Sequence, residues 1–185
     1  MNKYQSKLKL IALILFLNHT ANNCEDNQCQ KIYISMPTVL TMCQNIYNQA
    51  IDASCKFEPE LLIGLSRGGL VPVGFLAGDG MFANRNVKII SITSYSNTNQ
   101  QSEIRFVMPV FIEELTYLSN FKSILIVDDL VDSGKSLAWI LDLLQKHLPN
   151  TEIRTAALFY KKSSIIKPDF YAQETTSWIV FPWEA

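Results

Sequence analysis

From residue 31 onward, short apolar runs alternate with segments whose apolar residues recur every three or four positions. The runs are rich in isoleucine, leucine and valine, as expected of strands buried on both faces of a parallel sheet, and the recurring positions are typical of amphipathic helices. Strands are predicted at 32–34, 61–65, 87–93, 104–107, 124–127 and 152–160. This alternation predicts an α/β fold in which a mostly parallel, twisted sheet carries helices on both faces.

Three helices are predicted between these strands. The first begins after the capping residue Ser35 and ends near residue 53, the second ends at residue 78, and the third follows the strand at 124–127 and ends at Pro149. The predicted core face of the first helix comprises Val39, Leu40, Cys43, Ile46, Tyr47, Ala50 and Ile51. The segment 108–123 is treated as a connection, and the residues after 161 are too irregular for another βα unit.

The first thirty residues follow a different pattern. Three lysines precede an apolar run at 10–17, and a polar stretch continues to residue 30. The run is too short for a membrane span, which needs about 20 residues, but it matches the apolar region of a secretory signal. Ala21 is the one small residue at a plausible cleavage position. We expect residues 1–30 to be an export signal, a misassigned start or a non-functional extension without stable membrane association, and residues 31–185 to form the domain.

Composition narrows the class of protein. The chain has 185 residues, 48% of them hydrophobic, which suits one globular domain with a buried core. Its 16 basic and 17 acidic residues nearly balance, so the basic excess of a nucleic-acid-binding protein is missing. The chain has only two histidines, which disfavours a histidine metal site or a Ser-His triad. Its four cysteines form no CxxC pair, so free thiols are expected.

Candidate chemistry lies where the strand at 124–127 ends. Three acids follow this strand and precede a helix start of small residues. The acids are Asp128, Asp129 and Asp132, and the helix start is Ser133, Gly134, Lys135 and Ser136. Ligands of open α/β sheets bind at the carboxyl ends of strands, and the free N–H groups of a helix's first turn attract phosphate. Acids beside such an anion site predict a ligand that carries hydroxyls or a metal next to a phosphate. A P-loop does not explain the pattern, because Asp129 replaces a glycine that it requires.

A second anion site is predicted after the strand at 61–65, where Ser66, Arg67 and Gly68 precede the next helix. Glycines at such a point often only relieve steric crowding. An arginine among backbone N–H groups, however, is suited to a diphosphate, which it binds through several donors. Further along, Ser94 and Tyr95 open a polar tract that predicts either a mobile surface loop or an ordinary hairpin connection.

The stretch at 124–137 resembles the sugar-phosphate loop of the type I phosphoribosyltransferases. Residues 128–136 match the form of that loop in the branch that salvages hypoxanthine, guanine or xanthine. They are two acids, two apolar residues, Asp132, a serine, a glycine, a lysine and a serine. The segment at 66–69 is similar to the family's pyrophosphate loop, which often has a cis peptide bond just before the basic residue. The resemblance covers residues 31–184 and implies the type I phosphoribosyltransferase fold with a small C-terminal hood.

The resemblance also implies roles for individual residues. The donor 5-phosphoribosyl 1-pyrophosphate (PRPP) is expected to bind Ser66, Arg67, Gly68, Asp128, Asp129, Ser133, Gly134, Lys135 and Ser136. Mg²⁺ is the implied cofactor, with Asp129 and Glu184 as its candidate ligands. Ser94 and Tyr95 match a loop that closes over the reacting centre, and the hood residues that are expected to bind the base are Lys161, Trp178 and Ile179. Asp132 is predicted to accept a proton near N7 of the purine.

The implied reaction transfers the 5-phosphoribosyl group from PRPP to N9 of a 6-oxopurine, with hypoxanthine, guanine and xanthine all candidates. Two alternatives stay open: a regulatory protein that senses PRPP without catalysis, and an exported nucleotide-binding protein. Such regulators usually add a DNA-binding helical domain, which thirty residues cannot supply. Relatives suggest a homodimer or homotetramer. A cytoplasmic location is expected because PRPP is a cytosolic metabolite, unless residues 1–30 act as an export signal.

Overall fold

The computed structural model describes residues 31–78, 80–97, 100–106 and 111–184, with the backbone alone described at 93–97, 100–106 and 111–113. The strands in these ranges are β1 (Lys31–Tyr33), β2 (Leu61–Ser66), β3 (Asn86–Asn97), β4 (Gln100–Phe106), β5 (Ser123–Val131), β6 (Glu152–Lys161), β7 (Phe170–Thr175) and β8 (Trp178–Val180). The helices are α1 (Met36–Ile51), α2 (Leu70–Leu76), α3 (Phe111–Leu118) and α4 (Lys135–His147).

The main sheet has six strands in the order β4-β3-β2-β5-β6-β7. All neighbouring pairs are parallel except β3 and β4, which form an antiparallel hairpin at one edge. The strands β1 and β8 form a separate two-stranded sheet. The predicted mostly parallel sheet is therefore confirmed, and β2 and β5 lie side by side at its centre.

Helices cover both faces of the sheet, as predicted. On one face, α1 and α2 pack on residues such as Leu62 and Leu125. On the other face, α3 and α4 pack on the alternate residues, such as Leu61 and Ile124. These strand residues are fully buried, which gives the sheet centre a rigid support.

The predicted core face of α1 was partly wrong. Leu40 and Ile51 are largely exposed, whereas Met42, which was not predicted, is buried with Val39, Cys43, Ile46 and Ala50. At 100° per residue, Leu40 and Ile51 lie beyond Cys43 on one side of the buried face, whereas Met42 lies next to Ile46 on its other side.

Three other segments depart from the sequence prediction. The connection at 108–123 contains α3, whose two turns are too short to show a clear helical period. Of the two alternatives for the polar tract at 96–103, the mobile loop is wrong and the hairpin connection is confirmed, because β3 extends to Asn97, which pairs with Gln100 at the start of β4. The segment after β6 lacks a helix, as predicted, but it adds β7 to the main sheet as a parallel strand.

Among the described residues, every helix is too short or too polar to span a lipid bilayer.

Candidate active site

The acids Asp128 and Asp129 lie at the carboxyl end of β5. The sequence predicted a turn at this point, but the strand continues to Val131 and Asp128 is in register with Ala157 of β6. The N–H of Asp129 donates to Asp128 Oδ1 at 3.0 Å, and the N–H of Leu130 donates to Asp129 Oδ1 at 2.7 Å. The two carboxyl groups are thus fixed by their own backbone on the sheet rather than carried by a loop.

Both carboxyl groups are partly buried, which disfavours their ionised forms. Burial, with the nearby charge of Asp129, raises the pKa of Asp128 well above its usual range. Burial also raises the pKa of Asp129, and the N–H groups of Leu130 and Trp183 act in the opposite direction by donating to its carboxylate. A pair of this kind is suited to a ligand that supplies hydroxyl donors or a cation, because either compensates the buried negative charge.

The loop after β2 approaches the same acids. The peptide bond between Ser66 and Arg67 is cis, as the resemblance implied. A Cβ atom added at Gly68 would overlap the carboxylate of Asp129, so only glycine allows this close approach. Together, Arg67, Gly68, Asp129, Trp183 and Glu184 line a cavity of about 540 Å³. An arginine and two carboxylates therefore share one space at the sheet edge.

In the loop between β5 and α4, Asp132 and Ser133 are exposed and Gly134 is buried. Gly134 is the N-cap of α4 with φ of 75°, and no side chain caps the helix start. Gly134 is one of the small residues predicted at this helix start, and the N–H of Lys135 makes a long hydrogen bond of 3.5 Å to Ser133 Oγ. A Cβ atom at Gly134 would collide with Ser164, and the N–H of Ile165 donates to the carbonyl of Ser133 at 3.1 Å. Contacts from the segment after β6 hold the loop, and the first-turn N–H groups of α4 beyond Lys135 face the predicted anion site.

A smaller cavity adjoins the first one. Its volume is about 230 Å³, and its lining consists of Asp129, Leu130, Asp132, Lys161, Trp178, Ile179, Phe181 and Glu184. Lys161 Nζ forms an ion pair with Asp132 Oδ1 at 3.0 Å, and Trp178 is 56% exposed beside it. An aromatic ring, a cation and a carboxylate around one space are suited to a planar heterocycle with polar edges.

The turn at 181–184 closes both cavities. The N–H of Glu184 donates to the carbonyl of Phe181 at 3.1 Å, and the N–H of Phe181 donates to Glu184 Oε2 at 3.0 Å. Pro182 occupies the second position, which its fixed φ favours. Asp129 of β5 and Glu184 of this turn line both cavities, so the two cavities are adjacent.

Trp183 and Phe181 were not among the residues predicted for the site. Their rings stack with centroids 4.7 Å apart, and Trp183 Nε1 donates to Asp129 Oδ2 at 3.3 Å. The available signal was the order Phe-Pro-Trp-Glu, since a proline turn brings the tryptophan beside the acid. The side chains of Ser94 and Tyr95 lie outside the described part of the chain.

The donor set at this site fits a magnesium ion. Among the described residues, no group of three or more histidine, cysteine, aspartate or glutamate side chains is placed to bind a metal by itself. Mg²⁺ in enzymes of phosphorylated substrates usually takes only one or two carboxylates, with substrate oxygens and water completing its shell. Asp129 and Glu184, which share a cavity with Arg67, match that requirement.

Comparison with known proteins supports the same interpretation. Residues 31–185 match the phosphoribosyl transferase domain family. The chain is 34% identical, over 66% of its length and 68% of the relative's, to a xanthine-guanine phosphoribosyltransferase of Cereibacter sphaeroides. Among solved structures, a purine phosphoribosyltransferase from Pyrococcus horikoshii matches with a TM-score of 0.66 and 28% identity, over 84% of this chain and 95% of that one.

A second solved structure, the xanthine-guanine-hypoxanthine phosphoribosyltransferase of Helicobacter pylori, matches with a TM-score of 0.67 and 27% identity, over 85% of this chain and 95% of that one. The match to the family extends over the whole described part of the chain, including both candidate anion loops and the turn at 181–184. The chain therefore belongs to the phosphoribosyltransferase family.

Proposed function

We propose that this protein transfers the 5-phosphoribosyl group of PRPP to N9 of a 6-oxopurine, giving a nucleoside monophosphate and pyrophosphate. The observation that carries the proposal is the pair of adjoining cavities that share Asp129 and Glu184. One cavity has the groups that a sugar diphosphate needs, and the other has the groups that a purine needs. Relatives named for xanthine, guanine and hypoxanthine support the purine as acceptor.

The donor is assigned to the carboxyl edge of the sheet. Asp128 and Asp129 accept hydrogen bonds from the two ribose hydroxyls, and the loop of residues 133–136 holds the 5′-phosphate through its free N–H groups. Arg67 binds the departing pyrophosphate, with Ser66 and Gly68 as close backbone neighbours. Three adjacent positions on β2, β5 and α4 thus match the three parts of PRPP.

Asp129 and Glu184 would hold the magnesium ion, which when bound neutralises part of the diphosphate charge. The protein's own contribution lies in the fixed carboxylates. As the bond between C1′ and the pyrophosphate oxygen breaks, the ribose ring gains positive charge. Asp128 and Asp129 place negative charge beside it, where the buried surroundings strengthen the attraction.

The purine is assigned to the smaller cavity. Trp178 stacks on the base, Lys161 donates to O6, and the backbone of Ile179 contacts a ring edge. Asp132 faces N7, where its carboxylate accepts the proton that the purine loses while N9 forms its bond to C1′. The ion pair between Lys161 and Asp132 already holds both groups at one side of this cavity.

The role of Ser94 and Tyr95 stays a prediction. The strand β3 continues past Ser91, which is the residue in register with Ser66 of β2. The backbone at 94–95 therefore extends beyond the sheet edge that carries Arg67. We assign these residues to closure over the reacting centre, which would exclude water as a competing acceptor.

The direct test is a product assay on the purified protein with Mg²⁺ and PRPP. Hypoxanthine, guanine and xanthine are supplied one at a time, and adenine serves as the matched control because its 6-amino group cannot accept a hydrogen bond from Lys161. We expect the mononucleotide of at least one 6-oxopurine and little from adenine. Formation of no mononucleotide from any 6-oxopurine would contradict the proposal.

A further inference from the structure

Trp183 holds one of the two carboxylate oxygens of Asp129. Its indole Nε1 donates to Oδ2 at 3.3 Å, while the N–H of Leu130 donates to Oδ1 at 2.7 Å. Gly68 packs so closely against this carboxylate that an added Cβ atom would overlap it. The side chain of Asp129 is therefore limited from three directions, and only the contact with Trp183 comes from the C-terminal segment.

The indole is itself held in position. It stacks on the ring of Phe181 with an interplanar angle of 8°, and Phe181 is 2% exposed in the core. The backbone of the 181–184 turn and the side chain of Glu184 close the same turn through two hydrogen bonds. A donor supported in this way has a fixed direction, unlike a flexible side chain or a water molecule.

We propose that Trp183 is a positioning residue for the donor site, because its indole N–H sets the orientation in which Asp129 meets the ribose and the metal. The inference rests on the proposed function, since it assigns Asp129 to the donor. It adds a role for the C-terminal segment, which thereby organises the donor site as well as the base site. A small displacement of a group that aligns a reacting substrate reduces binding and rate strongly.

The variant Trp183→Phe isolates the hydrogen bond, because phenylalanine keeps an aromatic ring against Phe181 but lacks the N–H. The matched control is Trp139→Phe, the same replacement on α4 at a residue that lines neither cavity. Calorimetric titration with PRPP and Mg²⁺ measures donor binding directly, and steady-state kinetics separates the KM values of donor and purine.

We expect Trp183→Phe to weaken donor binding and raise the donor KM by about tenfold, as for the loss of a hydrogen bond to a charged group. The purine KM should change by less than about twofold, and Trp139→Phe should match the wild type. In an Asp129→Asn background, Trp183→Phe should cause little further loss, because the two residues act as a pair. Equal donor binding by Trp183→Phe and the wild type would overturn the proposal.

A spectroscopic readout tests the contact without activity. The chain has three tryptophans, and single Trp→Phe variants assign their indole N–H signals in a ¹H–¹⁵N spectrum. The Trp183 signal should move upfield in Asp129→Asn, since a carboxylate is the stronger acceptor, while the Trp139 signal stays in place. An unmoved Trp183 signal would overturn the positioning role. If the wild type binds no PRPP, both the proposed function and the donor role of Trp183 fail. A shift of the Trp183 signal in Asp129→Asn would then show only that the indole contacts Asp129.

Discussion

The carboxyl edge of the sheet and the C-terminal segment 178–184 hold their side chains in different ways. The side chains at the carboxyl edge are carried by the ends of β2 and β5, whose central residues are fully buried between two helical layers. The C-terminal segment contains only the three-residue strand β8, which pairs with β1, and a single turn. The first region is supported on both faces by helical layers, whereas in the second only Ile179 and Phe181 are buried in the core, and the other side chains depend on a few hydrogen bonds and ring contacts.

This difference fits the two substrates that we assign to the regions. A phosphoribosyl donor must be held rigidly while its bond to pyrophosphate breaks, and strand ends fixed in a core supply that rigidity. A base must enter and leave, and a segment with fewer buried contacts opens at lower cost. Variation at Trp178, which lines only the smaller cavity, can therefore change the accepted base while the donor site stays the same.

The largest expected effect concerns Asp132, which follows β5 and lines the smaller cavity together with Trp178 and Ile179 of the C-terminal segment. Asp132→Asn keeps the shape but cannot take up the purine's proton. We expect kcat to fall by about 100-fold to 10,000-fold, with donor binding little changed. Rapid-quench or steady-state kinetics with saturating substrates measures the loss. A variant with near-normal turnover and a lower melting temperature would instead assign Asp132 to helix capping, worth about 1 kcal/mol.

The rigidity of the sheet edge is tested by Gly68→Ala. The new methyl group would overlap the Asp129 carboxylate, so either the Arg67 loop or the acid must move. We expect donor binding to weaken by roughly 100-fold, the scale associated with a misplacement of about 1 Å. Gly74→Ala on α2 is the matched control, because a Cβ atom there meets nothing within 4 Å. Donor binding is measured by calorimetry. Normal binding by Gly68→Ala would show that the carboxyl edge of the sheet is not rigid.

The separate assignment of the base is tested by Trp178→Ala. Loss of stacking on an aromatic ring costs about 1–3 kcal/mol per base, so the purine KM should rise by about 5-fold to 150-fold. Donor binding should stay close to that of the wild type, because Trp178 lines only the smaller of the two cavities. Equal losses for both substrates would remove the distinction between the two regions at this residue.

The smallest expected effect is a gain in stability. The pKa of Asp128 is higher in the folded protein than in the unfolded chain, so the folded protein binds this proton more tightly. The free energy of unfolding therefore falls as the pH rises through the folded-state pKa. Asp128→Asn should raise the melting temperature of the metal-free protein at pH 7 by about 2–4 °C, the shift that about 1 kcal/mol causes in a chain of this size.

This gain should shrink as the pH falls through the folded-state pKa toward the usual value of 3.8, because the wild-type carboxyl then becomes neutral as well. Asp142→Asn is the matched control, since Asp142 is exposed on α4 and should change stability by less than about 0.5 kcal/mol. Calorimetry from pH 4 to pH 8 measures both variants. A lower melting temperature for Asp128→Asn at pH 7 would show that the ionised acid stabilises the fold.

Sequence reasoning succeeded where the pattern is local. The run at 124–127 and the small residues after Asp132 specify a strand, a loop and a helix within fourteen positions, and the structure has them in that order. Predictions from the sequence were wrong or incomplete where tertiary contacts determine the secondary structure. The position of β7 depends on its pairing with β6, and the two-turn helix α3 packs on a core assembled from remote strands. The hairpin connection of β3 and β4 was one of two alternatives that the residue pattern alone did not separate.

The same division applies within the candidate site. Asp128, Asp129 and Arg67 were found because each follows a recognisable strand. Trp183 was missed because its partner, Asp129, lies 54 positions away in the sequence, and only the fold brings them together. The extent of β5 was also missed, since its pairing with β6 holds Asp128 in the sheet where the acids alone predicted a turn.

The most direct test of the central claim is to follow the complete reaction by ³¹P NMR, with PRPP, Mg²⁺ and the most active 6-oxopurine. We expect the donor signals to be replaced by pyrophosphate and nucleoside monophosphate in equal amounts, and almost no donor to be consumed when the purine is left out. Conversion of PRPP to ribose 5-phosphate and pyrophosphate at the same rate with and without the purine would contradict the claim, because the C-terminal segment would then deliver no base to the donor.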